Sequence, residues 1–147
     1  MIFAHRDAAH ERRITLRILS YWEKLRDGRA MPARHDVKRE DIHDLWDSCF
    51  LLHGKEEGFD FAHLGEAIRK AYHGELKEGD ANGLVSPHSQ KLSEQFREML
   101  RHKKPLLDEG EFVNLNNRVV RYRQCLVPLG SEDKVEAVFG GMRYKVF

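Results

Sequence analysis

The residues with the strongest chemical potential lie on one stretch, Val119 to Leu129. Read as a strand, its side chains alternate between two faces. Val120, Tyr122, Gln124 and Leu126 share one face; Val119, Arg121, Arg123, Cys125 and Val127 share the other. An amide such as Gln124 among apolar neighbours must find a partner, because an unpaired buried polar group is costly. It either orients a small ligand in an apolar cleft or bonds a helix backbone or Tyr72. Tyr72, Phe96, Tyr122 and Gln124 form the candidate ligand-lining set. Arg121 and Arg123, two apart, could contact an anion such as a carboxylate or phosphate. Alternatively their stems lie over an outer sheet face beside Glu23.

Other chemistry-bearing groups point elsewhere. Arg26, Arg29 and Arg34 are interleaved with Asp27 and Asp36, which weakens their field and favours structural hydrogen bonds to strand ends. His43 and Asp47 have i,i+4 spacing and could reach one ion from a helix, but no third ligand follows; no metal is expected. His63 is the one candidate base for an enzyme acting on a small carbonyl or anionic substrate beside Gln124. Cys49 and Cys125 lie far apart in apolar stretches, with no CxxC, and read as buried free thiols in a reducing compartment. No GxSxG, Walker loop or dinucleotide-binding glycine pattern is present. No catalytic residue is assigned, and an enzyme is not expected.

The elements that must position these groups follow from periodicity. Residues 1–13 read as a flexible or helical start, and 14–147 as a single domain. Ile14, Ile18, Tyr21, Trp22 and Leu25 recur at spacings of three and four, a helical stripe stopped by Gly28 and Pro32. That stripe must be buried, either on the chain's own sheet or against a partner's copy. Arg39 to Ser48 fits a short second helix. Cys49 to His53, and the alternation through Phe59 and Phe61, fit two strands around a charged turn. Leu64 to Tyr72 returns to helical spacing. Gly74, Gly79, Asn82 and Gly83 mark a loop, and Ser86-Pro87 a helix start. That helix runs to about Lys103, before Pro105. Phe112 to Leu115, Val119 to Leu129 and Val135 to Arg143 then form a meander, turning at Asn116-Asn117 and at Gly130 to Lys134. Gly140-Gly141 marks a bulge or a close helix approach. Two strands before the helices and three after predict one five-stranded antiparallel α+β sheet with helices on one face.

Composition narrows the class. The 147 residues are 41% hydrophobic and 33% charged, which is globular material. Lys+Arg is 25 against Asp+Glu 24, a net charge of +1. That balance removes the electrostatic argument for nucleic acid or an acidic membrane. Met1 to Arg13 has no signal-peptide h-region, and no apolar run reaches membrane-span length. The cytoplasm is the default, with no membrane insertion.

The segment Tyr21-Trp22-Glu23-Lys24-Leu25-Arg26-Asp27-Gly28-Arg29, with Met31-Pro32-Ala33-Arg34 and Asp36-Val37, resembles the opening of a PAS subfamily. Its members are short, stand-alone, mostly alphaproteobacterial proteins once known only as a domain of unknown function. Leu64-Gly65-Glu66-Ala67, Ala71-Tyr72, Glu111-Phe112-Val113-Asn114, Arg121 to Gly130 and Gly140-Gly141-Met142-Arg143 extend the resemblance over residues 14–145. It implies strand order 2-1-5-4-3, with helices over one face enclosing a cleft. PAS domains sense small molecules, light or redox state, or serve as dimerisation modules, and seldom act as catalysts. The resemblance therefore implies a stand-alone regulatory domain that signals through protein–protein contacts, biased by a small ligand in the cleft. The alternative is a ligand-free dimerisation or scaffold module whose own aromatics fill the cleft. Helices preceding PAS domains often build dimers, so Ile14, Ile18, Tyr21, Trp22 and Leu25 are the candidate interface. No output segment precedes Met1 or follows Phe147, so a protein partner or homodimer is the expected route. Some PAS domains hold haem through a helix histidine, but nothing flanking His73, His88 or His102 marks such a pocket. The motif around a flavin-adduct cysteine is absent as well, so no cofactor is assigned.

Overall fold

In the computed structural model, residues 2–56, 58–73 and 89–147 are described, residues 2–13 and 89 by their backbone alone. The loop expected around Gly74 to Gly83, the helix start at Ser86-Pro87 and the candidate His88 lie outside the described residues, as do the side chains of the expected N-terminal start. Five strands, β1 (Cys49–Gly54), β2 (Phe59–Leu64), β3 (Leu106–Val113), β4 (Val119–Ser131) and β5 (Lys134–Val146), form one antiparallel sheet. Their order is β2-β1-β5-β4-β3, as expected. Helix α1 (Ile2–Arg26) lies on the outer face of this sheet. Helices α2 (Glu66–His73) and α3 (Ser89–His102) cover the inner face.

Three boundaries differ from the sequence reading. Arg39 to Ser48 is not an α-helix but two 3-10 turns, Arg39–Ile42 and Trp46–Ser48, after a third at Arg34–Asp36. The segment buries Ile42 and Leu45 and stacks Trp46 on His63 and Phe139. Those anchors are satisfied by short turns, so continuous helical hydrogen bonding is not needed. Strand β3 begins at Leu106, six residues before the expected Phe112. Its even positions face the inner side, but Asp108 and Gly110 interrupt the apolar alternation that marks a strand. Strand β5 extends to Val146.

The pair Gly140-Gly141 sets how closely everything packs on the centre of the sheet. A Cβ on Gly140 would lie 2.4 Å from the Phe50 ring and 2.7 Å from the Cys125 carbonyl oxygen. One on Gly141, which points to the other face, would lie 3.1 Å from both Ile14 and Ile18. Gly141 is paired with Cys49 on one side and Cys125 on the other. The result is a shallow trough of small residues across three strands, in which α1 seats its two isoleucines. Close helix approach, one of the two readings of the glycine pair, is what the structure has.

The stripe on α1 is used within the chain. Ile14, Ile18 and Trp22 are buried on their own sheet. The Trp22 indole N–H donates to the Pro128 carbonyl at 2.7 Å. Strand β3 pairs with β4 only as far as Leu126. Beyond it β4 has an open edge, where a proline is tolerated. There Pro128 presents no N–H, its carbonyl is taken by Trp22, and the Gly130 N–H donates to the Pro32 carbonyl at 2.9 Å. The connector after α1 thus closes an otherwise open strand edge. Tyr21 accepts from the Lys38 N–H at 2.9 Å and donates to Asp41 at 2.7 Å, and Leu25 is half-buried. Of the candidate interface set, Ile14, Ile18 and Trp22 thus follow the first reading of the stripe and are covered by the chain's own sheet, while Tyr21, like Leu25, is half-buried.

Arg26 and Arg29 hold the helix end rather than strand ends. Arg29 donates to the Leu25 and Arg26 carbonyls and to Asp36; Arg26 pairs with Glu23 and donates to the Arg29 carbonyl. Cations suit a helix C-terminus, where unpaired carbonyls point outward.

Replacing Gly140 by Ala is expected to destabilise the fold by about 3 kcal/mol, the upper end for overpacking, because the added methyl meets backbone and a fixed ring. Gly141→Ala, which meets only the isoleucine side chains, is expected to lose about 1 kcal/mol. Urea unfolding of the two variants measures the difference; equal losses would contradict the asymmetry between the faces.

Candidate functional site

The inner face carries one polar cluster in an apolar surround. Register places Asp108, Gln124 and Met142 side by side on β3, β4 and β5. Lys91 and Gln95, one turn apart on α3, reach down to them. The Gln124 amide N–H donates to the Asp108 carboxylate at 3.0 Å and to the Gln95 oxygen at 3.2 Å. The Tyr122 hydroxyl donates to the same carboxylate at 2.9 Å and accepts from Lys91 Nζ at 2.6 Å. Lys91 Nζ lies 3.1 Å from the other carboxylate oxygen.

Asp108 is the hub. Burial acts to raise its carboxyl pKa, but hydrogen bonds from Gln95, Lys91, Tyr122 and Gln124 together hold it below its ordinary 3.8. The Tyr122 phenol is pushed up, by burial first and then by its bond to Asp108. The carboxylate also fixes the orientation of Gln124, since a flipped amide would set oxygen against oxygen. Gln124 Oε1 is left buried with no hydrogen-bond partner.

The sequence-derived lining set is divided. Tyr72, Phe112 and Tyr122 form a continuous aromatic run, with ring centroids 5.6 and 5.8 Å apart. Tyr122 and Gln124 belong to the polar cluster. Phe96 does not join them: it packs at the far edge, against Phe59 at 5.7 Å and beneath Gly54. Gln124 has a partner, but it is neither helix backbone nor Tyr72. It is the side-chain pair Gln95 and Asp108. The sequence pattern does not show Asp108 on a strand, because the apolar alternation of β3 begins only at Phe112, whereas the strand itself begins at Leu106. The i,i+4 spacing of Lys91 and Gln95 was the available signal. The surrounding inner side chains Phe50, Leu52, Tyr72, Leu92, Met99, Leu126 and Met142 are at most 1% exposed. Among the described residues they form the packed layer between the sheet and α2 and α3.

The remaining candidates fall as follows. Arg121 and Arg123 stand on the outer face, paired across to Glu111 at 3.2 Å and Glu109 at 3.0 Å on β3; Glu23 is engaged with Arg26 instead. His63 cannot act at Gln124. It lies on β2, with two strands between it and β4 and on the opposite face, with its Nε2 2.9 Å from the Trp46 carbonyl. His43 and Asp47 lie in 3-10 turns and the bend between them, so the helical i,i+4 relation is absent. His73 is buried at the end of α2, whereas His102 is exposed. Cys49 and Cys125 are buried, and burial pushes each thiol up to about 12. Both stay protonated near neutrality.

An open groove runs between α1 and the β3 edge of the outer face. It has a volume of about 460 Å³ and is lined by Thr15, Leu16, Leu19, Leu107, Glu109 and Arg123 among others. Leu16 and Leu107, on its two walls, are 60% and 59% exposed.

A five-stranded antiparallel sheet in this order, with helices over its inner face, defines a PAS-type fold. Residues 10–143 match the PAS domain family, and the chain belongs to it. PAS domains are sensory and regulatory domains, typically without catalytic activity of their own. Among solved structures, the chain is similar to the Rhodobacter sphaeroides LOV protein, with 14% identity, a TM-score of 0.46, and coverage of 74% of this chain and 68% of that one. No curated protein matches. Among the described residues, no helix is long and apolar enough to cross a membrane.

The Asp108→Asn substitution replaces the shared acceptor by an amide whose N–H₂ opposes other donors. It is expected to lower stability by about 1–3 kcal/mol at pH 7. Because the folded carboxyl lies below 3.8, its contribution is present above that value and lost as pH falls through the folded pKa. Thermal unfolding between pH 7 and 2 should therefore show a shallower acid limb in the variant. An unchanged limb would mean that Asp108 is not the hub.

Proposed function

We propose that this chain is a regulatory PAS domain, spanning residues 14–147 as one unit, whose output is a protein–protein contact at the groove between α1 and the β3 edge. The observation that carries the reading is the division of labour on α1. Its Ile14, Ile18 and Trp22 face is committed to the chain's own sheet, while Leu16 stays exposed opposite an equally exposed Leu107. Large apolar side chains held open on both walls of one groove favour a macromolecular partner. A second copy of the chain is the simplest occupant, since Leu16 of one copy can enter the groove of the other and the reverse. Leu16, Leu19 and Leu107 are the contact residues of this proposal. Among the described residues, the close packing of the inner layer supports the module whose own aromatics occupy the cleft.

A second reading rests on Gln124 Oε1. A buried acceptor without a donor is an unusual feature. It favours a state in which the inner layer loosens and a small molecule with an N–H or O–H group meets that oxygen. Such a ligand would bias the domain between two shapes, and the groove would pass the shift on. Soluble cytoplasmic operation is part of this proposal.

Sedimentation of the purified protein over a range of concentrations, with mass spectrometry after denaturing extraction, tests both readings. The expected result is concentration-dependent self-association that Leu16→Glu weakens at least tenfold, with no stoichiometric small molecule released. A monomer at all concentrations would remove the second copy as occupant. A co-purified molecule at near one per chain would move the function to the cleft and Gln124.

A further inference from the structure

On α2, Arg69 and His73 stand four residues apart, on the same side of the helix. His73 is only 8% exposed and Arg69 is half-buried. Arg69 Nε and His73 Nδ1 are both buried and both lack a hydrogen-bond partner. Among the described residues no carboxylate pairs with either. The other acid–base pair on the helix is closed on itself: Glu66 reaches Lys70 at 3.9 Å. A guanidinium beside an imidazole, each with an unused buried nitrogen, is a poor arrangement for stability alone. Among the described residues it leaves a cation without a counter-charge and two polar atoms without partners.

Both defects are removed by one kind of group. A small oxyanion accepts two parallel N–H bonds from one side of a guanidinium, including the one on Nε. A third oxygen lone pair suits a protonated ring nitrogen of the neighbouring histidine. We infer that Arg69 and His73 form an anion site, distinct from the α1 groove and from Gln124, that takes a carboxylate or phosphate group of a small molecule. The cations must do this themselves, because the carbonyl end of α2 repels an anion; one of those carbonyls, that of Tyr72, is already held by the Leu115 N–H at 3.0 Å. In the absence of an anion, burial first and then Arg69 hold the His73 pKa below its ordinary 6.5. Among the described residues of every element, Arg69 is the charged group that acts on His73. An anion between Arg69 and His73 reverses the dominant repulsion, so binding and protonation of His73 are linked.

The test is an NMR titration of the His73 ring, with phosphate and acetate as separate probes and chloride as the control at matched ionic strength. The expected result is a saturable shift and a rise of the His73 midpoint with the anion bound, so that affinity increases as pH falls. Saturation with phosphate alone would assign a phosphate-bearing ligand, and with acetate alone a carboxylate-bearing one. Arg69→Gln is expected to weaken binding at least tenfold. Arg69→Lys, which keeps the charge and loses the fork, is expected to fall between the two and serves if Arg69→Gln does not fold. Shifts matching chloride, or equal affinity in wild type and both variants, would overturn the assignment.

Discussion

The whole arrangement depends on the absence of two side chains. At the centre of β5, Gly140 and Gly141 point to opposite faces, and each leaves room that a methyl group would fill. On the inner face the Phe50 ring lies directly on Gly140. On the outer face Ile14 and Ile18 settle over Gly141, between two cysteines. Interiors are packed to crystal-like density, so a sheet can approach layers on both sides this closely only where its own side chains are missing. The cysteines fit the same constraint. They are small, apolar when protonated and held protonated by burial, and packing is the role their surroundings allow.

With α1 fixed by that contact, the remaining outer features follow. Trp22 reaches the open edge of β4, the connector covers Gly130, and Tyr21 ties the 3-10 turns to the helix. The same contact limits what α1 can offer to a partner. One face is committed, so only Leu16, Leu19 and their neighbours remain, and they face β3 across a groove. The position of the groove is thus a consequence of how the helix is seated.

The inner layer is organised by one partly buried carboxylate. Asp108, on β3, gathers donors from the neighbouring strand β4 and from helix α3, and its charge is balanced by Lys91. Such networks favour one arrangement of the elements over others, since each bond requires β3, β4 and α3 in register. The network also explains why Gln124 carries an unused oxygen. Its two N–H groups are claimed by acceptors, which fixes the amide and turns the oxygen away from them.

Much of this was legible in the chain. The two-plus-three strand pattern, the α1 stripe, the meander and the turn at Asn116-Asn117 follow from periodicity and turn chemistry, because side-chain alternation and left-handed backbone preferences are local properties. Asn117 does adopt a positive φ of 59°. The alternation of β4 also placed Tyr122 and Gln124 on the buried face correctly. What the sequence could not supply was partnership across the fold. The start of β3, and with it Asp108, was hidden because a strand whose inner positions include an acid and a glycine lacks the apolar alternation of a strand. The 3-10 turns of residues 34–48 depend on where Trp46 and Ile42 can reach, which is decided by Phe139 and His63 from distant strands. His63, the candidate base beside the second strand, lies two strands and one face away from Gln124. Which residues share a face is a local matter of period; which faces meet, and who pairs with whom across them, is decided only when the sheet closes around Gly140 and Gly141.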